Sequence, residues 1–153
     1  MATIVGVKEL VTYFKQTGLN SELDPVTLKQ EVPTRWNSKF VMLESYQRSA
    51  DKVKEILLSK NRLDKIRNID DATVGEIVEF LRPFAEATEA LSADKRPTIH
   101  LVALWNEQLR KHLVAKDTDS DNMLAMKLEV LELFDIYCTI DDIYYIACAL
   151  NPK

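Results

Sequence analysis

Residues 33–43 read PTRWNSKFVML, and the hydrophobic period that starts there decides the fold. Trp36, Phe40, Leu43, Ala50, Val53 and Leu57 recur at roughly the 3.6-residue spacing of one helix face. Pro33 disfavours helix before it, and Thr34 is suited to cap the helix that follows. One feature runs against helix physics. Arg35 falls in the first turn and Lys39 one turn later, where the positive end of the helix dipole favours acidic side chains. Two readings of this start stand side by side. In one, Trp36 is the first core residue and Arg35 a solvated neighbour. In the other, free backbone N–H groups, Arg35 and Lys39 form a phosphate site with Trp36 as a base-stacking platform beside it.

The flanking sequence extends the helical pattern in both directions. Residues 5–18 place Val7, Leu10, Val11 and Phe14 on one face, with Gly18 as the stop. A connection from Asn20 to Pro33 holds two prolines, with a short helical turn expected over Val26 to Gln30. Beyond residue 60, Asp70 or Asp71 is placed to cap a helix whose stripe is Val74, Ile77, Val78, Leu81, Phe84, Thr88 and Leu91. Pro83 interrupts that helix and predicts a kink, because proline cannot donate to the Glu79 carbonyl. After a loop from Ser92 to Arg96, Pro97 suits a first helical turn, and Val102, Trp105, Leu109 and Leu113 form the next face. A polar linker, AKDTDSDN (115–122), precedes Met123, Met126, Val130, Phe134 and Tyr137. A last helix, capped by Asp141 or Asp142, carries Ile143, Ile146, Ala147 and Leu150. No segment sustains period-two alternation, so the expected fold is all-α, an irregular bundle of about six helices forming a single domain over 1–153.

Composition agrees. With 46% hydrophobic and 29% charged residues, the chain belongs among globular proteins, and 153 residues suit one domain with a core of its own. Only three glycines and five prolines leave little material for turns. No apolar run reaches the roughly 18 residues of a membrane span, and Lys8 and Glu9 make the N-terminus unlike a secretion signal. Cys138 and Cys148 lie in apolar surroundings and read as free, buried thiols of a reducing compartment.

The net charge of −4 argues against a generic nucleic-acid coat, but it is unevenly distributed. Residues 51–67 carry six bases against three acids, and 95–116 five bases against Glu107. Residues 70–94 carry seven acids against Arg82, and 117–142 eight against Lys127. Such blocks make either a basic face or helix surfaces that satisfy one another.

Catalytic and metal chemistry is sparse. Asp117, Asp119 and Asp121 imitate a calcium loop, but Asn122 stands where glycine is needed and Leu128 where a bidentate glutamate is needed. His100 and His112 have no partner at metal-ligand spacing and read as a helix-surface pair. The cysteines have no histidine base nearby in sequence. Capping accounts for both Asp-Asp pairs better than magnesium does. No metal, cofactor or small-molecule substrate is expected.

The segment VPTRWNSKFVMLES (32–45) resembles the Arg-Trp block of hAT-superfamily transposases and their zinc-finger BED-type relatives. LVTYFKQTG precedes it, and LRPFAEATEALSADKRPTIHLVALW and YYIACALNPK follow in the family's order, the last with Asn151 in place of the usual aspartate. The resemblance covers nearly the whole chain in patches. It implies a helical insertion beside a ribonuclease-H-like core that is not in this sequence, together with nuclear localisation. It puts contact with a DNA hairpin or transposon end on Trp36, with Arg35 beside it as a phosphate contact; Asn37 and Lys39 in the same turn complete the expected DNA-binding set. The family's three catalytic acids fall outside the matching blocks, so this segment is expected to bind DNA weakly and not to be an enzyme. The alternative is a protein-interaction scaffold, pairing with a second copy or another protein around Phe134, Tyr144 and Tyr145.

Overall fold

A computed structural model describes residues 2–92 and 97–151. The fold is all-α with six helices, and there is no strand among the described residues. The helices are α1 (Ala2–Gln16), α2 (Trp36–Ser59), α3 (Asp71–Leu91), α4 (Ile99–Leu113), α5 (Asp121–Tyr137) and α6 (Asp142–Leu150). Two compact units divide the chain, Met1–Leu81 and Arg82–Lys153, and the division falls within α3 just before Pro83. Lys95 and Arg96, on which part of the sequence reading rests, lie outside the described residues.

In the first unit α1 packs on α2 through the expected face of Val7, Leu10, Val11 and Phe14. The helix ends where glycine allows it, with Gly18 left-handed at φ 74°. Gly6 packs closely on the 68–69 segment: a Cβ there would meet Ile69 Cγ1 at 3.0 Å, so that side chain would have to give by a few tenths of an ångström, and the Asn68 carbonyl oxygen at 3.4 Å.

Helix α2 is buried more widely than its leading stripe predicts. Phe40, Leu43, Val53 and Leu57 are buried as expected, but so are Met42, Tyr46 and Ile56, together with Ser45 and Ser49. The serines explain the second buried side. The expected helical turn over Val26 to Gln30 does not form; that segment is irregular, and α2 provides partners for its backbone. Ser45 Oγ accepts from the Lys29 N–H at 2.9 Å, and Ser49 Oγ donates to the Val26 carbonyl at 2.9 Å. Asn20 brackets Leu28, accepting from its N–H at 2.9 Å and donating to its carbonyl at 3.3 Å. Buried backbone groups need partners, and here side chains supply what a helical turn would have supplied internally.

Asp70 caps α3, accepting from the Thr73 N–H at 3.0 Å and from the Thr73 hydroxyl. Asp71 is thereby free to reach α2. It accepts from the Tyr46 hydroxyl at 2.7 Å and from Lys54. Burial, then the bond to the Asp71 carboxylate, pushes the Tyr46 hydroxyl above its ordinary pKa. Desolvation pushes Asp71 up, but the bonds from Lys54 and Tyr46 outweigh it and hold the carboxyl below its usual value. Helix α3 continues through Pro83, burying Val74, Val78, Phe80, Ala85 and Ala87.

In the second unit α4 packs against both α5 and α6. Pro97 precedes the cap residue Thr98 instead of occupying the first turn. Asn106 donates to the Cys138 carbonyl at 2.7 Å, and Arg110 pairs with Asp135 while lying 5.3 Å from the Phe134 ring centroid. The two histidines are half-buried, not a surface pair, and His112 packs edge-on against Phe84 at 6.1 Å. Both cysteines are free but only half-buried.

The polar 115–122 stretch contains an unexpected core element. Lys127, the lone base of its acidic block, is only 3% exposed. Its Nζ lies 2.7 Å from Asp119 Oδ2 and 3.3 Å from the Val114 carbonyl oxygen. Asp119 also accepts from the Lys116 N–H at 2.8 Å, which commits the middle carboxylate of the calcium-like run to a lysine. Ser120 caps α5 through a 3.1 Å bond from the Met123 N–H. Of the expected α5 stripe Met123 and Phe134 are buried, but its end and most of the α6 stripe stay in solvent. Tyr137, Ile143, Ile146 and Leu150 are exposed, and α6 has no buried residue.

Two outcomes follow. Leu57→Ala should cost about 2–5 kcal/mol in urea denaturation, whereas its exposed neighbour Leu58→Ala should stay within about 0.5 kcal/mol. The Lys127 bond, followed by the Lys116 N–H, holds the Asp119 carboxyl below its ordinary pKa. Its stabilisation is therefore fully present above the unfolded value of about 3.9 and is lost as pH falls through the lower folded value. Asp119→Asn should be less stable than the parent at pH 7, and the gap should close in denaturation curves taken towards pH 2.

Candidate nucleic-acid interface

The start of α2 is built by the turn before it. The Arg35 N–H donates to the Val32 carbonyl at 2.9 Å, which closes the Pro33–Thr34 turn and leaves Arg35, not Thr34, at the cap position in extended conformation. No side chain caps the helix. The tie comes from inside it: Ser38 Oγ accepts from the Val32 N–H at 2.8 Å, with the Val32 and Arg35 carbonyl oxygens at 2.8 and 2.7 Å to receive its proton. First-turn N–H groups have no partner within a helix, and those of Trp36 and Asn37 have no capping side chain.

The four sequence candidates share this turn but differ in environment. Arg35 is exposed, and its guanidinium has no side-chain partner among the described residues. Trp36 is 46% exposed, at the margin of the core stripe. Asn37 is half-buried, and its Oδ1 has no hydrogen-bond partner among the described residues. Lys39 is already engaged. Its Nζ is 3.6 Å from Glu31 Oε1, while Lys8 Nζ is 3.1 Å from Glu31 Oε2, and the Glu31 side chain is only 6% exposed. One shielded carboxylate therefore neutralises part of two lysines.

Glu31 also links this turn to a surface absent from the sequence reading. Lys8 lines an open groove of about 650 Å³ with Thr12, Tyr13, Gln16 and Lys65. The Tyr13 ring has Arg62 at 5.1 Å and Lys65 at 5.3 Å from its centroid. Nothing in the sequence spacing pairs Tyr13 with residues fifty positions away; only the docking of the Leu63–Ile66 3₁₀ turn on α1 brings them together.

The basic 51–67 block does not form a free cationic face. Lys52 donates to the Asp24 carbonyl, Lys54 pairs with Asp71, Lys60 with Glu22 and Arg62 with Asp64. In the 95–116 block Arg110 and Lys111 pair with Asp135 and Glu107. Among the described residues no group of three or more His, Cys, Asp or Glu side chains is placed to hold a metal ion, and no helix is long and apolar enough to cross a membrane.

No protein-family model matches the chain, and no curated protein matches it. The geometry of the turn itself predicts that Ser38→Ala, which removes the tie between Val32 and the helix start, lowers stability by about 1 kcal/mol in urea denaturation.

Proposed function

We propose that this chain is a helical segment of a hAT-type transposase or a domesticated derivative, acting in the nucleus, and that the start of α2 contacts unpaired or hairpin DNA. The observation that carries the reading is the Arg35 guanidinium, without a side-chain partner among the described residues, beside the half-exposed Trp36 at a helix start with no side-chain cap. A guanidinium and uncapped N–H groups suit a phosphate, and an indole with open surface suits a base. Catalysis belongs to acids outside this segment, so the segment positions DNA for a core elsewhere.

Binding is weak in this reading because one principal cation acts alone, with Lys39 shared with Glu31. In fluorescence anisotropy with a short hairpin DNA, Trp36→Ala should weaken binding by about 1–3 kcal/mol, the scale of one stacked base. Arg35→Gln should flatten the dependence of log K on log salt by about one phosphate contact. Unchanged affinity in Trp36→Ala with the helical circular dichroism intact removes the indole from the site, and salt-independent binding removes the phosphate contact.

A further inference from the structure

Helix α5 has two apolar sides, and only one is covered. Met123, Lys127 and Phe134 are buried on the inner side. On the outer side Leu128 and Ile136 are 56% and 59% exposed, with Leu124 at the margin. At about 100° per residue, Asp121, Glu129 and Glu132 fall on this same outer side, and all three are exposed. None has an ion-pair partner among the described residues. The exposed side of α4 is different, since there Glu107 is paired with Lys111 one turn along. In α5 the sole base, Lys127, is buried and committed to Asp119. Asp135 falls on this side too and is paired with Arg110, so the outer side of α5 is a helical surface of aliphatic groups and a surplus of carboxylates, and Glu129 and Glu132 repel each other at adjacent positions.

Charge selects the occupant. Nucleic acid and anionic membranes are repelled, and a second α5 would bring two sets of unpaired carboxylates together. A helix with aliphatic residues at three- and four-residue spacing, flanked by lysine or arginine, covers the leucines and neutralises the carboxylates at once. We propose that the outer face of α5 docks a cationic amphipathic helix of a partner protein. The proposal is independent of the DNA contact at α2.

The test is calorimetric titration of the full chain with two synthetic 18-residue helical peptides of the same leucine spacing, one with lysine and one with glutamate at the polar positions. The lysine peptide should bind and the glutamate peptide should not. Leu128→Asp should weaken the lysine peptide at least tenfold although it adds a negative charge, and Glu129→Lys with Glu132→Lys should do the same. Glu86→Lys with Glu89→Lys, on the exposed side of α3, should change binding less than twofold. Because these positions are exposed, the helical circular dichroism should be retained in every variant. Leu128→Asp binding as tightly as the parent would reduce the interaction to diffuse attraction and overturn the proposal. Equal weakening by the α3 pair overturns it too, as does a solution dimer of the free chain that Leu128→Asp dissociates.

Discussion

Helix α2 has to satisfy two neighbours of different kinds, and the first unit depends on how it does so. Against α1 it presents aliphatic and aromatic groups, where packing is non-directional and a stripe suffices. Against the 24–32 segment it presents Ser45 and Ser49, because that segment has no backbone–backbone hydrogen bonds of its own to bury with it. An apolar residue at either position would fill the same space and leave a backbone group without a partner. The third attachment, Tyr46 and Lys54 to Asp71, fixes where α3 begins. The division of labour between Asp70, which caps, and Asp71, which reaches back, lets two adjacent identical residues do different work.

Charge follows the same logic of local settlement. The basic blocks spend several of their charges on the acidic ones, such as Lys54 on Asp71 and Arg110 on Asp135. Among the described residues, Arg35 in the first unit and Asp121, Glu129 and Glu132 on the outer side of α5 in the second are charges with no ion-pair partner. The two proposed contacts, one with an anionic polymer and one with a cationic helix, sit at these residues. Glu31 moderates the first by holding Lys8 and Lys39.

Periodicity made the helices and much of the buried set legible. Val7, Leu10, Val11 and Phe14 on α1 and Phe40, Leu43, Val53 and Leu57 on α2 follow from spacing alone, because a helix face is a local property. The candidate turn was legible as a cluster, since Arg35, Trp36, Asn37 and Lys39 lie within five residues. Their environments were not. Thr34 is a better cap than Arg35 by residue type, yet the bond from Arg35 to Val32 and the Ser38 tie move the helix start one residue on. Likewise no composition rule marks Lys127 as the buried residue among so many acids; its bonds to Asp119 and the Val114 carbonyl satisfy it there.

By itself, then, the sequence determined an all-α chain, the order of its helices and the side each early helix buries, because these depend on neighbours three and four positions away. The tertiary structure alone decided which charges are spent on one another, which apolar sides stay uncovered, and that Tyr13 meets Arg62 and Lys65. Those outcomes depend on residues far apart in sequence. The stretch 33–43 shows both: its period announces α2, but only the fold leaves Trp36 half in solvent and Arg35 exposed beside it.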